Sequence, residues 1–121
     1  MASLYKRKIT RGQSYDLTVD YEENGANVSI VGDTLYLTTK PTQFDDDVTD
    51  SAAIVSKTVV VPNNPDALVG QYTFNLGYSD TYHEPGTYYT DVFIKRISTG
   101  KRYPLTLEKL VITGTPTNRN T

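Results

Sequence analysis

Ser14-Tyr15-Asp16-Leu17-Thr18-Val19-Asp20-Tyr21 is the stretch that decides the fold. Every second residue is large and apolar, and those between are small and polar. A helix would scatter these residues around its circumference, whereas a strand places Tyr15, Leu17, Val19 and Tyr21 on one face. The same period recurs from Gln71 to Leu76, with Tyr72, Phe74 and Leu76 inward. It recurs again from Asp33 to Lys40, where Leu35, Leu37 and Thr39 oppose Thr34, Tyr36, Thr38 and Lys40. One-sided alternation belongs to antiparallel sheets with one solvated face, because strands buried on both faces read as continuous apolar runs.

Working outward, the stretch from Ala52 to Val61 is β-branched, with a register that Val59-Val60-Val61 leaves open. From Gly86 to Ile97, Asp91 and Lys95 must face water. Tyr88, Thr90, Val92 and Ile94 then point inward, and Tyr89 and Phe93 point out. From Lys101 to Thr113, an inward set of Tyr103, Leu105 and Leu107 gives way to Leu110 and Ile112. That change of parity predicts a bulge across Glu108-Lys109. Tyr5 to Thr10 carries Lys6-Arg7-Lys8, as suits an edge strand protected by charge. Alternation would split these cations between the two faces. Glu22-Glu23-Asn24-Gly25, Pro62-Asn63-Asn64-Pro65 and Ser98-Thr99-Gly100 are turn signals. Short strands at this spacing predict a sandwich or small barrel. Pro85-Gly86-Thr87-Tyr88 resembles the tyrosine corner of Greek-key sandwiches, in which a buried Tyr at the start of a strand hydrogen-bonds nearby backbone. The expected fold is all-β, an immunoglobulin-like antiparallel sandwich of about seven strands. It forms one domain over residues 1–121, with a core from about 5 to 113 and a polar tail from 114 to 121.

Composition narrows the function. The chain has 121 residues, no Cys, one His and a formal net charge of −2. Disulfides and thiolate metal sites are therefore excluded. The acidic balance argues against general nucleic-acid binding. No apolar run approaches the length of a membrane helix, and no signal-peptide pattern opens the chain, so the expectation is a non-membrane protein made in a cytoplasm. A catalytic triad would have to rest on His83, which falls in the turn before Pro85-Gly86 and reads as a solvated loop residue. No phosphate loop, zinc motif or nucleotide fingerprint is present. No enzymatic activity, cofactor or metal is expected. Asp45, Asp46, Asp47 and Asp50 could offer oxygen ligands, but their spacing lacks the central Gly and closing Glu of a calcium loop. They read as a hydrated loop.

What remains is surface. Tyr36, Tyr89 and Phe93 fall on outward faces, and clustered outward aromatics mark contact surfaces. The ends, from Met1 to Tyr5 and from Gly114 to Thr121, lack any pattern that would pack them on their own domain. Leu4 and Tyr5 are therefore expected to lie against another chain.

Taken in order, the landmarks resemble a known family. They are Lys8-Ile9-Thr10-Arg11-Gly12-Gln13-Ser14-Tyr15-Asp16-Leu17-Thr18-Val19, then Ile30 to Lys40, Asp50 to Lys57, Gly70 to Leu76, Ser79-Asp80-Thr81 and Pro85 to Val92. Their order and spacing are similar to those of the immunoglobulin-like N-terminal domains of phage upper baseplate proteins and their small single-domain relatives among virion proteins. The match runs from about Lys8 to Thr113, with Ile30-Val31-Gly32 standing where the family tends towards a Leu-Thr-Gly turn. The resemblance implies a structural module of a tailed-phage virion, made in the host bacterial cytoplasm, with no catalytic residues to transfer. It also implies docking onto other virion proteins in many copies or as a homo-oligomer, in tail, baseplate, fibre or capsid decoration. The rival expectation is a receptor- or carbohydrate-binding module, with sugars stacked on Tyr36, Tyr89 or Phe93.

Overall fold

A computed structural model describes residues 5–41 and 52–114. The Asp45–Asp50 acids, Leu4 and the tail beyond Gly114 lie outside the described residues. Nine strands and two helical turns follow one another among those described. Seven of the strands form two layers, five in one sheet and two in the other. The first layer is ordered β1 (Tyr5–Thr10), β9 (Arg102–Thr113), β8 (Gly86–Lys95), β5 (Thr34–Lys40) and β6 (Val55–Val60). The second pairs β2 (Tyr15–Asp20) with β7 (Gln71–Leu76). A two-residue ladder, β3 (Glu22–Glu23) with β4 (Ala26–Asn27), closes around the Asn24-Gly25 turn. The fold is an all-β immunoglobulin-like sandwich.

The alternating faces meet between the layers. Leu17, Val19, Phe74 and Leu76 of the small sheet pack with Leu35, Leu37, Val92 and Ile94 of the large one. Tyr15, Tyr72 and Leu105 are half-buried against this cluster. A second cluster, of Ile9, Tyr88, Leu110 and Ile112, fills the end beneath β1. Tyr88 forms the expected corner, its hydroxyl donating to the Glu84 carbonyl at 2.6 Å. Two residues on, Thr90 stands where antibody domains place a cysteine of the inter-sheet disulfide. Here Thr90 is fully buried and its hydroxyl pairs with that of Thr39 at 2.8 Å.

Loops are tied into the core at named points. Asn64 caps the helical turn α1 (Pro65–Leu68) by accepting from the Ala67 amide at 2.8 Å, and Ala67 is fully buried. Gly70 follows with φ +82°, and a Cβ there would lie 2.6 Å from the Tyr21 carbonyl oxygen. Only glycine lets the loop approach β2 this closely. A second turn, α2 (Tyr78–Thr81), is held by the Asp80 carboxylate accepting from the Gly77 amide at 2.9 Å.

Several expectations need correction. β1 pairs with β9 in parallel, so the large sheet is mixed. Tyr5 is in register with Glu108 and belongs to the sheet, so its backbone is not a free tail. The bulge lies near Leu105, where the β8–β9 register slips between Val92 and Phe93 and not at Glu108-Lys109. Beyond it, Glu108, Leu110 and Ile112 point inward, which turns Leu107 out of the core. Glu108 is 1% exposed because Arg7, inward-facing on β1, brings Nε within 2.8 Å of its carboxylate. The Arg7 guanidinium also lies 4.5 Å above the Tyr15 ring. β6 begins at Val55 and not at Ala52. His83 sits in its expected loop but is half-buried.

Candidate functional site: the outer face of the five-stranded sheet

Side chains that alternate with the core set form one surface. On β5, Thr34, Tyr36, Thr38 and Lys40 point away from the core, and on β8 Tyr89, Asp91 and Phe93 do so. The β5–β8 register sets Tyr36 directly opposite Phe93 and Lys40 opposite Tyr89. Directly paired residues on one face approach to about 5 Å between Cβ atoms, so Tyr36 and Phe93 form one aromatic centre. Tyr89 shares the strand and the face with Phe93, separated from it by Asp91. The structure thus makes Tyr36 and Phe93 immediate neighbours, while Tyr89 lies apart from them on the same face, opposite Lys40.

Further residues complete the surface, among them Leu107, which the sequence reading places inward. Pro104 is opposite Phe93 on β9, and Leu107 is opposite Asp91. The bulge near Leu105 is what turns Leu107 outward. Arg102, opposite Lys95, lays its guanidinium over the Tyr36 ring with the carbon 5.1 Å from the centroid. Such a contact keeps a positive charge at the face of the ring. On the far edge, Lys6 and Lys8 of β1 are exposed, opposite Lys109 and Val111 of β9. The split of Lys6-Arg7-Lys8 by strand parity therefore puts two cations on this face and one in the core.

A second feature borders this face at Pro104. Asp20, Glu22, Glu23 and Asn24 line an open cleft of ≈ 640 Å³ with Tyr21, Tyr103, Pro104 and Leu105. Tyr103 is 39% exposed. Beneath the cleft, the Arg96 guanidinium stacks 4.6 Å from the Tyr21 ring centroid and lies 3.7 Å from a Glu23 carboxylate oxygen. Its Nε is 2.9 Å from Asp33 Oδ2, as an ion pair whose N–H is not aimed in line at that oxygen. Asp33, 1% exposed, accepts the Ile97 amide at 2.8 Å through its other oxygen. This network ties the β8–β9 hairpin to the turn before β5. Tyr21 donates to Glu23 at 2.9 Å, fixing one carboxylate at the cleft rim.

No protein-family model matches the chain, and neither does any curated protein. Solved structures do. The NK cell receptor Nkp44, described as a triggering partner in natural cytotoxicity, is similar over 93% of this chain and 100% of its own, with a TM-score of 0.52 and 15% identity. The soluble domain of PmoD from Methylocystis sp. ATCC 49242 (Rockwell) is similar over 88% of this chain and 77% of its own, with a TM-score of 0.52 and 12% identity. T.fusca AA10A is similar over 92% of this chain, which spans 55% of that neighbour, with a TM-score of 0.50 and 9% identity. Likeness at these identities establishes the sandwich fold alone.

Proposed function

We propose that the chain is a non-enzymatic structural protein of a tailed-bacteriophage virion, docking onto other virion proteins through the outer face of its five-stranded sheet. The observation that carries this reading is the register pairing of Tyr36 with Phe93 at the centre of a face rimmed by charge. An apolar aromatic centre inside a polar rim is the anatomy of protein interfaces. The ordered landmarks of the sequence, from Lys8 to Thr113, supply the virion setting. Quantitative mass spectrometry of gradient-purified particles of the encoding phage tests it. The chain should be found at a fixed ratio to the major virion proteins, and its recovery only from the particle-free fraction would refute the role.

A second reading, a receptor- or carbohydrate-binding module, is favoured by the cleft beside Tyr103, where carboxylates and an amide surround an exposed ring. Glycan-array binding that is lost in Tyr103→Ala and kept in Phe93→Ala would support this reading over the first.

A further inference from the structure

Charge on the outer face of the five-stranded sheet is strongly one-sided. Lys6, Lys8, Lys40, Lys95, Arg102 and Lys109 occupy outward strand positions there. Among the described residues, Asp91 is the sole acid at such a position. The whole chain is nevertheless acidic, with a formal net charge of −2. Six of the chain's twelve Lys and Arg residues therefore share this one face. β2 presents the contrast, with Asp16 and Asp20 outward on the other layer and no outward cation on that strand.

We propose that this face docks an acidic protein surface, one whose carboxylates surround an apolar patch that covers Tyr36 and Phe93. The inference rests on the docking role above and names the chemistry of the partner. Charge complementarity selects the partner's sign, since fields of opposite sign raise the rate of encounter and suppress wrong pairings. The apolar centre selects its class. A polyphosphate or sulfated chain would leave Tyr36, Phe93, Pro104 and Leu107 without apolar partners, whereas a protein can bury them. Pairing of two copies through this same face would set the cationic rims against each other, at a cost from like charges. Arg102 serves both parts, because its guanidinium covers the Tyr36 ring and presents donors that can take a carboxylate in bidentate fashion.

A random glutamate–tyrosine copolymer, which carries both carboxylates and apolar rings, titrated into the isotope-labelled chain and followed by amide and aromatic NMR shifts, reads this directly. Shifts should concentrate on β5, β8 and β9 around Tyr36, Phe93 and Lys109, and binding should weaken several-fold from 50 to 300 mM NaCl. Lys6→Gln/Lys8→Gln/Lys109→Gln should lose about tenfold in affinity, whereas the off-sheet control Lys101→Gln should match the parent. Absence of binding, or shifts centred on another face, overturns the proposal. Tighter binding of a heparin fragment or a 20-base-pair duplex at the same residues replaces the acidic protein with a polyanion. Dimerisation through this face, seen by sedimentation, replaces it with a second copy. Unchanged incorporation of the triple variant into particles would overturn this inference and leave the virion role standing. Absence of the parent chain from particles would refute that role, while face-specific binding of the copolymer could still hold.

Discussion

Tyr88→Phe isolates the hydrogen bond of the corner. The ring is 8% exposed and packs with Ile9, Leu110 and Ile112, and phenylalanine keeps all of that. Only the hydroxyl, 2.6 Å from the Glu84 carbonyl, is removed. A net intramolecular hydrogen bond contributes about 0.5–1.5 kcal/mol, and a stranded buried acceptor costs about 1–3 kcal/mol more. Glu84 is exposed, so water can reach its carbonyl and the second penalty shrinks. The expected loss is therefore about 1–1.5 kcal/mol. With an m-value of about 2 kcal/mol/M in urea, the midpoint should fall by about 0.5–0.8 M. Tyr89→Phe on the neighbouring outward position is the control, with a change within about 0.5 kcal/mol. Burial, with the Glu84 charge adding to it, also holds the Tyr88 hydroxyl above its ordinary pKa. It stays a neutral donor across the neutral range. An unchanged midpoint in Tyr88→Phe, or one equal to that of Tyr89→Phe, would refute the corner and leave Tyr88 as packing alone.

Phe74→Ala, which deletes a 4%-exposed ring from the core, should cost about 3–5 kcal/mol in denaturant melts; a loss below about 1 kcal/mol would mean the inward face is wrong. Thr90→Val should cost about 1–3 kcal/mol by stranding the buried Thr39 hydroxyl and removing the hydroxyl beside Tyr15, and Thr39→Val/Thr90→Val should recover the Thr39 part of it. Additive losses in that pair would contradict the shared hydrogen bond. Burial, reinforced by the Glu108 charge and opposed by Arg7, raises the Tyr15 pKa from 10.0 to about 12. Its contribution to stability is then complete below pH 10 and lost between about pH 10 and 12, because the unfolded chain ionises first. Tyr15→Phe should flatten that part of the stability profile, and a profile of unchanged slope would rule out Tyr15 as its source.

Much of this architecture is legible because alternation is a local signal. β2, β5, β7 and β8 each show on their own residues which side faces the core, and the outward placement of Tyr36, Tyr89 and Phe93 follows by subtraction. The pairing of Tyr36 with Phe93 does not follow, since register is set between strands far apart in sequence. Glu108 is misread for the same reason. A lone carboxylate looks like a solvent-facing residue until Arg7, 101 positions away, is laid beside it by parallel pairing. Placing Glu108 outside forces the parity break onto Glu108-Lys109, although Pro104, beside the true slip near Leu105, is a residue that an interior strand takes at a bulge. α1 is hidden within a Pro-Asn corner, although Asn64 before Pro65 is a capping signal that could have revealed it. The cationic rim is spread over β1, β5, β8 and β9, so only the assembled sheet collects it on one face.

Cryo-electron microscopy of the particle, at a resolution that traces side chains, tests the central claim most directly. The account predicts that the sandwich sits with the five-stranded sheet against a neighbouring protein, and that Tyr36, Phe93 and Leu107 are buried and carboxylates meet Lys6, Lys109 or Arg102. A particle in which that face is open to solvent, with contacts made instead through β2 and β7, would contradict it.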